Sequence, residues 1–122
     1  MAAPNILNAT SILGKQHGVN LDTTVTTSLL ANASSSDKLY KINSIIVSNV
    51  DGTNSADVTI SFYNGSNDHY IAKTVSVPAD STLVLIGKDS MLYLEEGQSI
   101  RGGASANGDL SVLICYEILD DA

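Results

Sequence analysis

Alternation of apolar and polar residues governs most of this chain. Val58, Ile60 and Phe62 interleave with Thr59, Ser61 and Tyr63, and Leu110, Val112, Ile114 and Tyr116 again occupy every second position. Successive side chains on a strand point to opposite faces, so a period of two predicts strands with one buried face and one wet face. The intervening stretches Asn64-Gly65-Ser66-Asn67, Pro78-Ala79-Asp80, Gly87-Lys88-Asp89 and Asn107-Gly108-Asp109 are rich in residues that favour turns. An all-β fold follows.

Segment by segment, strands are expected at Ile12 to Val19, Val25 to Leu30, Leu39 to Val50, Asp57 to Tyr63, His69 to Val77, Thr82 to Ile86, Met91 to Leu94, Gln98 to Arg101 and Leu110 to Leu119. Pro78 marks a strand end, since it cannot donate to a ladder. Leu39 to Val50 reads as a central strand covered on both sides, because Ile42, Ile45, Ile46 and Val47 fall on both faces. Asp51-Gly52 suits a turn with positive backbone angles. Gly102-Gly103-Ala104 leaves two readings open: the strand ends before it, or small residues continue the strand where another backbone comes close. The predicted fold class is all-β, a two-sheet antiparallel β-sandwich of jelly-roll type with an extended N-terminal arm. Residues 1–10 form the arm or a flexible terminus, and residues 11–122 form a single domain.

Composition narrows the chemistry. With 122 residues the chain fits one core, and aromatic residues make up only 5% with no Trp. The formal charge is −7, and the six basic residues are scattered, so the cation cluster needed to displace counterions from nucleic acid is missing. The same acidity works against anionic membrane surfaces, and no run approaches a membrane span. Cys115 is the single cysteine, so no disulfide closes within the chain; its place between Ile114 and Tyr116 reads as packing, in keeping with a reducing cytoplasm. The start Met1-Ala2-Ala3-Pro4 lacks the features of a secretory signal, and the chain is expected to be mature as it stands.

No motif supplies a catalytic set. His17 and His69 lack nearby His or Cys partners of the kind zinc sites show. Asp51, Asn54 and Asp57 offer oxygens, but the glycine comes second and no glutamate closes a calcium loop, so a hairpin turn is the expectation. Glu95 and Glu96 are adjacent and diverge on a strand, which suits them poorly as a general acid and base. No Gly-x-Ser-x-Gly is present, and Gly14-Lys15 and Gly87-Lys88 lack the rest of a phosphate cradle. No cofactor, metal site or enzymatic activity is expected. Sugar binding uses exposed aromatic platforms, and Tyr63 and Tyr70, flanking one turn, are the candidate pair, whereas Tyr116 reads as core.

The phrases Met1-Ala2-Ala3-Pro4-Asn5-Ile6-Leu7-Asn8, Lys41 to Gly52, Val77 to Val84, Tyr93 to Ile100 and Leu110 to Ile118 resemble small virion structural proteins of tailed phages, especially those of marine cyanobacteria. The likeness spans nearly the whole chain and lies in strand and turn phrases. Within that class the sequence looks most like a capsid decoration, or cement, protein, which coats the outside of the head and bridges capsomers. The resemblance implies the major capsid protein and further copies of the chain as partners, the latter as a homotrimer, with the segment around Asn5, Ile6 and Leu7 gripping the shell. The mean hydropathy of +0.13 suggests apolar surface left over for such an assembly. A tail, neck or fibre-associated module that contacts host glycans through Tyr63 and Tyr70 is the alternative.

Overall fold

The computed structural model of the chain describes residues 11–90 and 92–120. Nine strands are present among them: β1 (Ser11–Asn20), β2 (Ser28–Ala31), β3 (Lys38–Asn49), β4 (Ala56–Tyr63), β5 (Asp68–Val77), β6 (Thr82–Ile86), β7 (Leu92–Leu94), β8 (Ser99–Ala104) and β9 (Leu110–Asp120). The first sheet runs β1-β9-β3-β6, with β7 also paired to β3, and the second runs β2-β8-β4-β5. Every pairing is antiparallel. If β6 and β7 are taken as one edge interrupted by a 3-10 turn at Lys88–Ser90, the pairs β1·β9, β2·β8, β3·β6/β7 and β4·β5 nest inside one another as in a single long hairpin. Rolling that hairpin adds β9·β3 and β8·β4 and closes the sandwich. This is the jelly roll the sequence predicts.

The core lies between the sheets. Ile42, Ile45, Val47, Val112 and Ile114 from the first face Val58, Ile60, Ile100 and Leu29 from the second, all within one cluster of buried residues. β3 departs from the two-sided burial expected of it. A bulge between Ile42 and Ser44 inserts Asn43, so Ile42 and Ile45, three positions apart, both turn inward, while Ile46 faces out half-buried. Three of the four β-branched residues, Ile42, Ile45 and Val47, thus serve the inner face.

Three other expectations are corrected. Strand β2 begins at Ser28 and not at Val25, because Asp22 folds the preceding residues into a turn: its Oδ1 accepts the Thr24 N–H (2.9 Å) and the Thr27 hydroxyl (3.1 Å). The Asp51-Gly52 turn does not use a positive φ at glycine. It is held by the Asp51 carboxylate, which accepts the N–H of Thr53 at 2.8 Å, whereas positive φ occurs at Gly65, Gly97 and Gly108. The outward face of β4 is covered: Thr59 and Ser61 are 6% and 2% exposed. Their hydroxyls are used there. Thr59 Oγ1 accepts the Thr74 N–H at a bulge of β5, and Ser61 Oγ donates to Asp68 Oδ1.

The open question at Gly102-Gly103 resolves toward continuation. β8 runs to Ala104, and the loop from Asp22 to Thr27 lies across it, its carbonyls accepting the N–H groups of Gly102 (from Thr27, 2.9 Å) and Ala104 (from Asp22, 2.8 Å). A Cβ on Gly103 would stand 2.7 Å from the Thr24 carbonyl oxygen.

Tyr116 stacks on Tyr40 with ring centroids 5.4 Å apart, half-buried against the core. Burial, reinforced by the neighbouring Tyr40, raises the Tyr116 phenol above its ordinary value. The folded chain therefore holds this proton more tightly than the unfolded chain. The stabilisation is complete below about pH 10, the ordinary tyrosine value, and is lost as pH rises through the folded pKa. Thermal melts between pH 9 and 12 are expected to fall more steeply for the native protein than for Tyr116→Phe, which has no proton to lose there.

Candidate functional site

The outer face of the second sheet carries a polar cluster built by cross-strand register. Tyr63 stands opposite Asp68 and Ser99, and Ser61 opposite Tyr70 and Arg101, so all six side chains share one face. Arg101 Nη1 donates to both carboxylate oxygens of Asp68, at 3.0 and 3.3 Å. Its guanidinium lies 4.0 Å from the centroid of the Tyr63 ring, and the Tyr63 hydroxyl donates to the Gly65 carbonyl at 3.1 Å. The hairpin brings Tyr63 and Tyr70 to one face, as the sequence suggests. They differ in availability. Arg101 covers one face of Tyr63, whereas Tyr70 is 53% exposed with the Lys73 ammonium 5.0 Å from its ring.

The first sheet presents two features on its outer face. An open depression of about 490 Å³ is lined by Gly14, Gln16, Asn43, Cys115 and Glu117, together with Lys15 and Tyr116. Asn43, the bulge residue, donates from Nδ2 to Glu117 Oε1 at 2.8 Å and so closes one side. Cys115 therefore faces outward and is half-buried in the floor of this depression, not in the core where its apolar neighbours suggested it would pack. No histidine lines the depression. Beside it, Leu113, Ile46 and Val84 stand in one cross-strand row, with Leu113 38% and Val84 59% exposed.

The remaining sequence candidates do not converge. His17 lies on β1, the edge of the first sheet, and His69 on β5, the edge of the second, where it tilts against Phe62 and approaches Asn64 Nδ2 at 3.3 Å. Asp51 turns both carboxylate oxygens into its own loop, and its N–H contacts with Thr53 and Asn54 hold its carboxyl below the usual range. Asp57 sits apart on β4, its N–H bound to Ser105 Oγ. Glu96 accepts the Asp37 N–H at 3.1 Å, while the Glu95 N–H is taken by Gln98 Oε1. Among the described residues no three His, Cys, Asp or Glu side chains gather as a metal site. Asn5, Ile6 and Leu7 lie outside the described residues. No described helix is long and apolar enough to cross a membrane.

Several solved structures align with the chain. A protein of Bacillus endospore appendages, which form a family of disulfide-linked pili, superposes with a TM-score of 0.52 at 15% identity, over 92% of this chain and 90% of that one. The likeness is one of fold. The capsid of Ralstonia phage GP4 aligns over 98% of this chain and 91% of its own, at 14% identity and a TM-score of 0.43. A pentameric capsid protein from metagenomic phage sequences aligns over 97% and 68%, at 13% identity and a TM-score of 0.34. No family model matches the chain, and no curated protein matches it by sequence.

The cluster around Arg101 was beyond the sequence reading. Asp68 and Tyr63 are joined by a short turn and their proximity is local, but Arg101 reaches them only because β8 pairs with β4 some 40 residues earlier in the chain. Arg101 is the one charged residue of β8, which is the local signal for it.

Proposed function

We propose that this chain is a non-enzymatic virion structural protein of a tailed phage, a capsid decoration or cement protein that binds the outer surface of the head and bridges capsomers. The observation that carries the reading is the apolar row Leu113, Ile46 and Val84 on the outer face of a sheet, with Leu113 and Val84 exposed, in a protein of charge −7. Such a row gains by being covered by another protein surface. The sequence resemblance to phage virion proteins supports the class, and His17 and His69 lie on edges of different sheets. The partners on this reading are the major capsid protein and further copies of the chain, assembled as a homotrimer, with Asn5, Ile6 and Leu7 reaching the shell.

Binding of the purified protein to heads that lack it tests the proposal. Val84→Asp places a charge at an exposed position and is expected to leave the melt unchanged while weakening head binding at least tenfold, about 1.4 kcal/mol or more. Deleting residues 1–10 is expected to weaken binding without unfolding the domain. Immunogold label confined to the tail rejects the cement role. That result favours the second reading, a tail or fibre module, for which the shared face of Tyr63 and Tyr70 and the open Tyr70 ring provide a glycan platform.

A disulfide-linked filament suits this sequence less well. One cysteine per copy joins copies in pairs at most, and Cys115 is half-buried in a strand.

A further inference from the structure

The four sheet edges are not equally protected. β2 has four residues and a register shift, β6 and β7 are short and broken by a 3-10 turn, and β5 carries irregularities, with Thr74 at φ 50°. Bulges and short lengths of this kind blunt an edge against further pairing. β1 has none of them. Its ten residues pair with β9 without a register shift, it contains no proline, and Ile12 and Leu13 are 58% and 54% exposed.

The free backbone groups on β1 can be assigned. The Leu21 N–H donates to the Leu110 carbonyl, in line with the β1·β9 register, so the odd-numbered residues of β1 bond to β9. The even-numbered residues Ile12, Gly14, Gln16, Gly18 and Asn20 therefore point their N–H and C=O groups away from the sheet. We propose that β1 pairs edge to edge with β1 of a second copy, antiparallel about a twofold axis through Gln16.

Three observations select this occupant and register. All 13 acidic residues lie from Asp22 onward, so β1 carries no carboxylate of its own, and two copies of a −7 chain can bring this strand together without setting one acidic side chain of the strand against another. A twofold axis normal to the sheet pairs residues of like facing, and centring it on Gln16 matches bonding residues with bonding residues: 16 with 16, 14 with 18 and 12 with 20. This register sets Leu13 beside Val19 on one face, whereas centring on residue 15 would oppose Lys15 to its own copy. The glycines at 14 and 18 leave open space where the strands meet. The pairing rests on the self-association proposed above and adds its geometry. Being isologous, it lies between homotrimers and not within one.

Gly14→Pro tests it on the full-length protein. This substitution removes an outward N–H, leaves the bonds to β9 in place and meets no atom within 4 Å of its Cβ. Native protein is expected to show twice the mass of Gly14→Pro by sedimentation, with matching thermal melts. In a Cys115→Ser background, Gln16→Cys is expected to form an interchain disulfide on oxidation. Native protein with the same mass as folded Gly14→Pro up to millimolar concentration, or absence of the crosslink, overturns the proposal; the crosslink alone decides if Gly14→Pro does not fold. Both readouts use free protein, so loss of head binding leaves this result standing and the reverse also holds.

Discussion

Gly103→Ala is expected to lower the melting temperature by about 10 °C, a larger effect than adding one methyl group to a surface strand would produce. The methyl group would meet the Thr24 carbonyl oxygen at 2.7 Å, the Thr24 carbonyl carbon at 2.8 Å and the Asp22 carbonyl oxygen at 3.0 Å. All three are backbone atoms, which cannot rotate away as a side chain does. Relief requires the whole segment from Asp22 to Thr27 to lift. That motion breaks the bonds from Gly102 and Ala104 that hold the segment down. Overpacking of this kind costs about 3 kcal/mol or somewhat more. Differential scanning calorimetry checks the value. Gly18→Ala serves as the control, since a Cβ there meets nothing within 4 Å, and a melt close to native is expected.

Asn49→Ala is expected to cost about 3 kcal/mol, read as a shift of the urea midpoint with little change in slope. Asn49 is 3% exposed at the end of β3, and its side chain ties together three stretches of backbone. Nδ2 donates to the carbonyls of Asn54 (3.0 Å) and Val77 (2.9 Å), and Oδ1 accepts the Asp51 N–H at 2.9 Å. Truncation leaves these groups without their partner where water has little access, and the loss of each costs more than an ordinary hydrogen bond contributes. Asn49→Asp is expected to rescue nothing. A carboxylate has the same shape but cannot donate to two carbonyls, and burying its charge adds a further cost.

Most of the strand framework is legible in the sequence because it depends on local period and turn chemistry. β6 coincides with the expected Thr82 to Ile86, and β1, β4, β5, β7 and β9 begin within one residue of where alternation places them. The failures come where distant chain segments decide the outcome. The Asn43 bulge changes which isoleucines of β3 face inward, and nothing in Lys41 to Ser44 shows that β9 will pair with one residue fewer. Burial of Thr59 and Ser61 depends on Asp68, Arg101 and a bulge of β5, although serine and threonine in alternation read as a wet face. The candidate sites follow the same rule. Tyr63 and Tyr70 share a hairpin and their common face is readable; the guanidinium that covers Tyr63 arrives through a long-range strand pair. The outward turn of Cys115 was available from parity alone, since Ile114 and Tyr116 hold the inward positions.

The nested arrangement of strands has a kinetic consequence. Of the described strands β1 comes first in the chain, yet its neighbour in the sheet is β9, which comes after all the others. The backbone groups on the inner edge of β1 therefore stay unpaired until β9 has been made, and docking has to await closure of the long loop between the two strands. Slow refolding follows, with the longest lag falling on the strand whose outer edge stays open even after the sheet has formed.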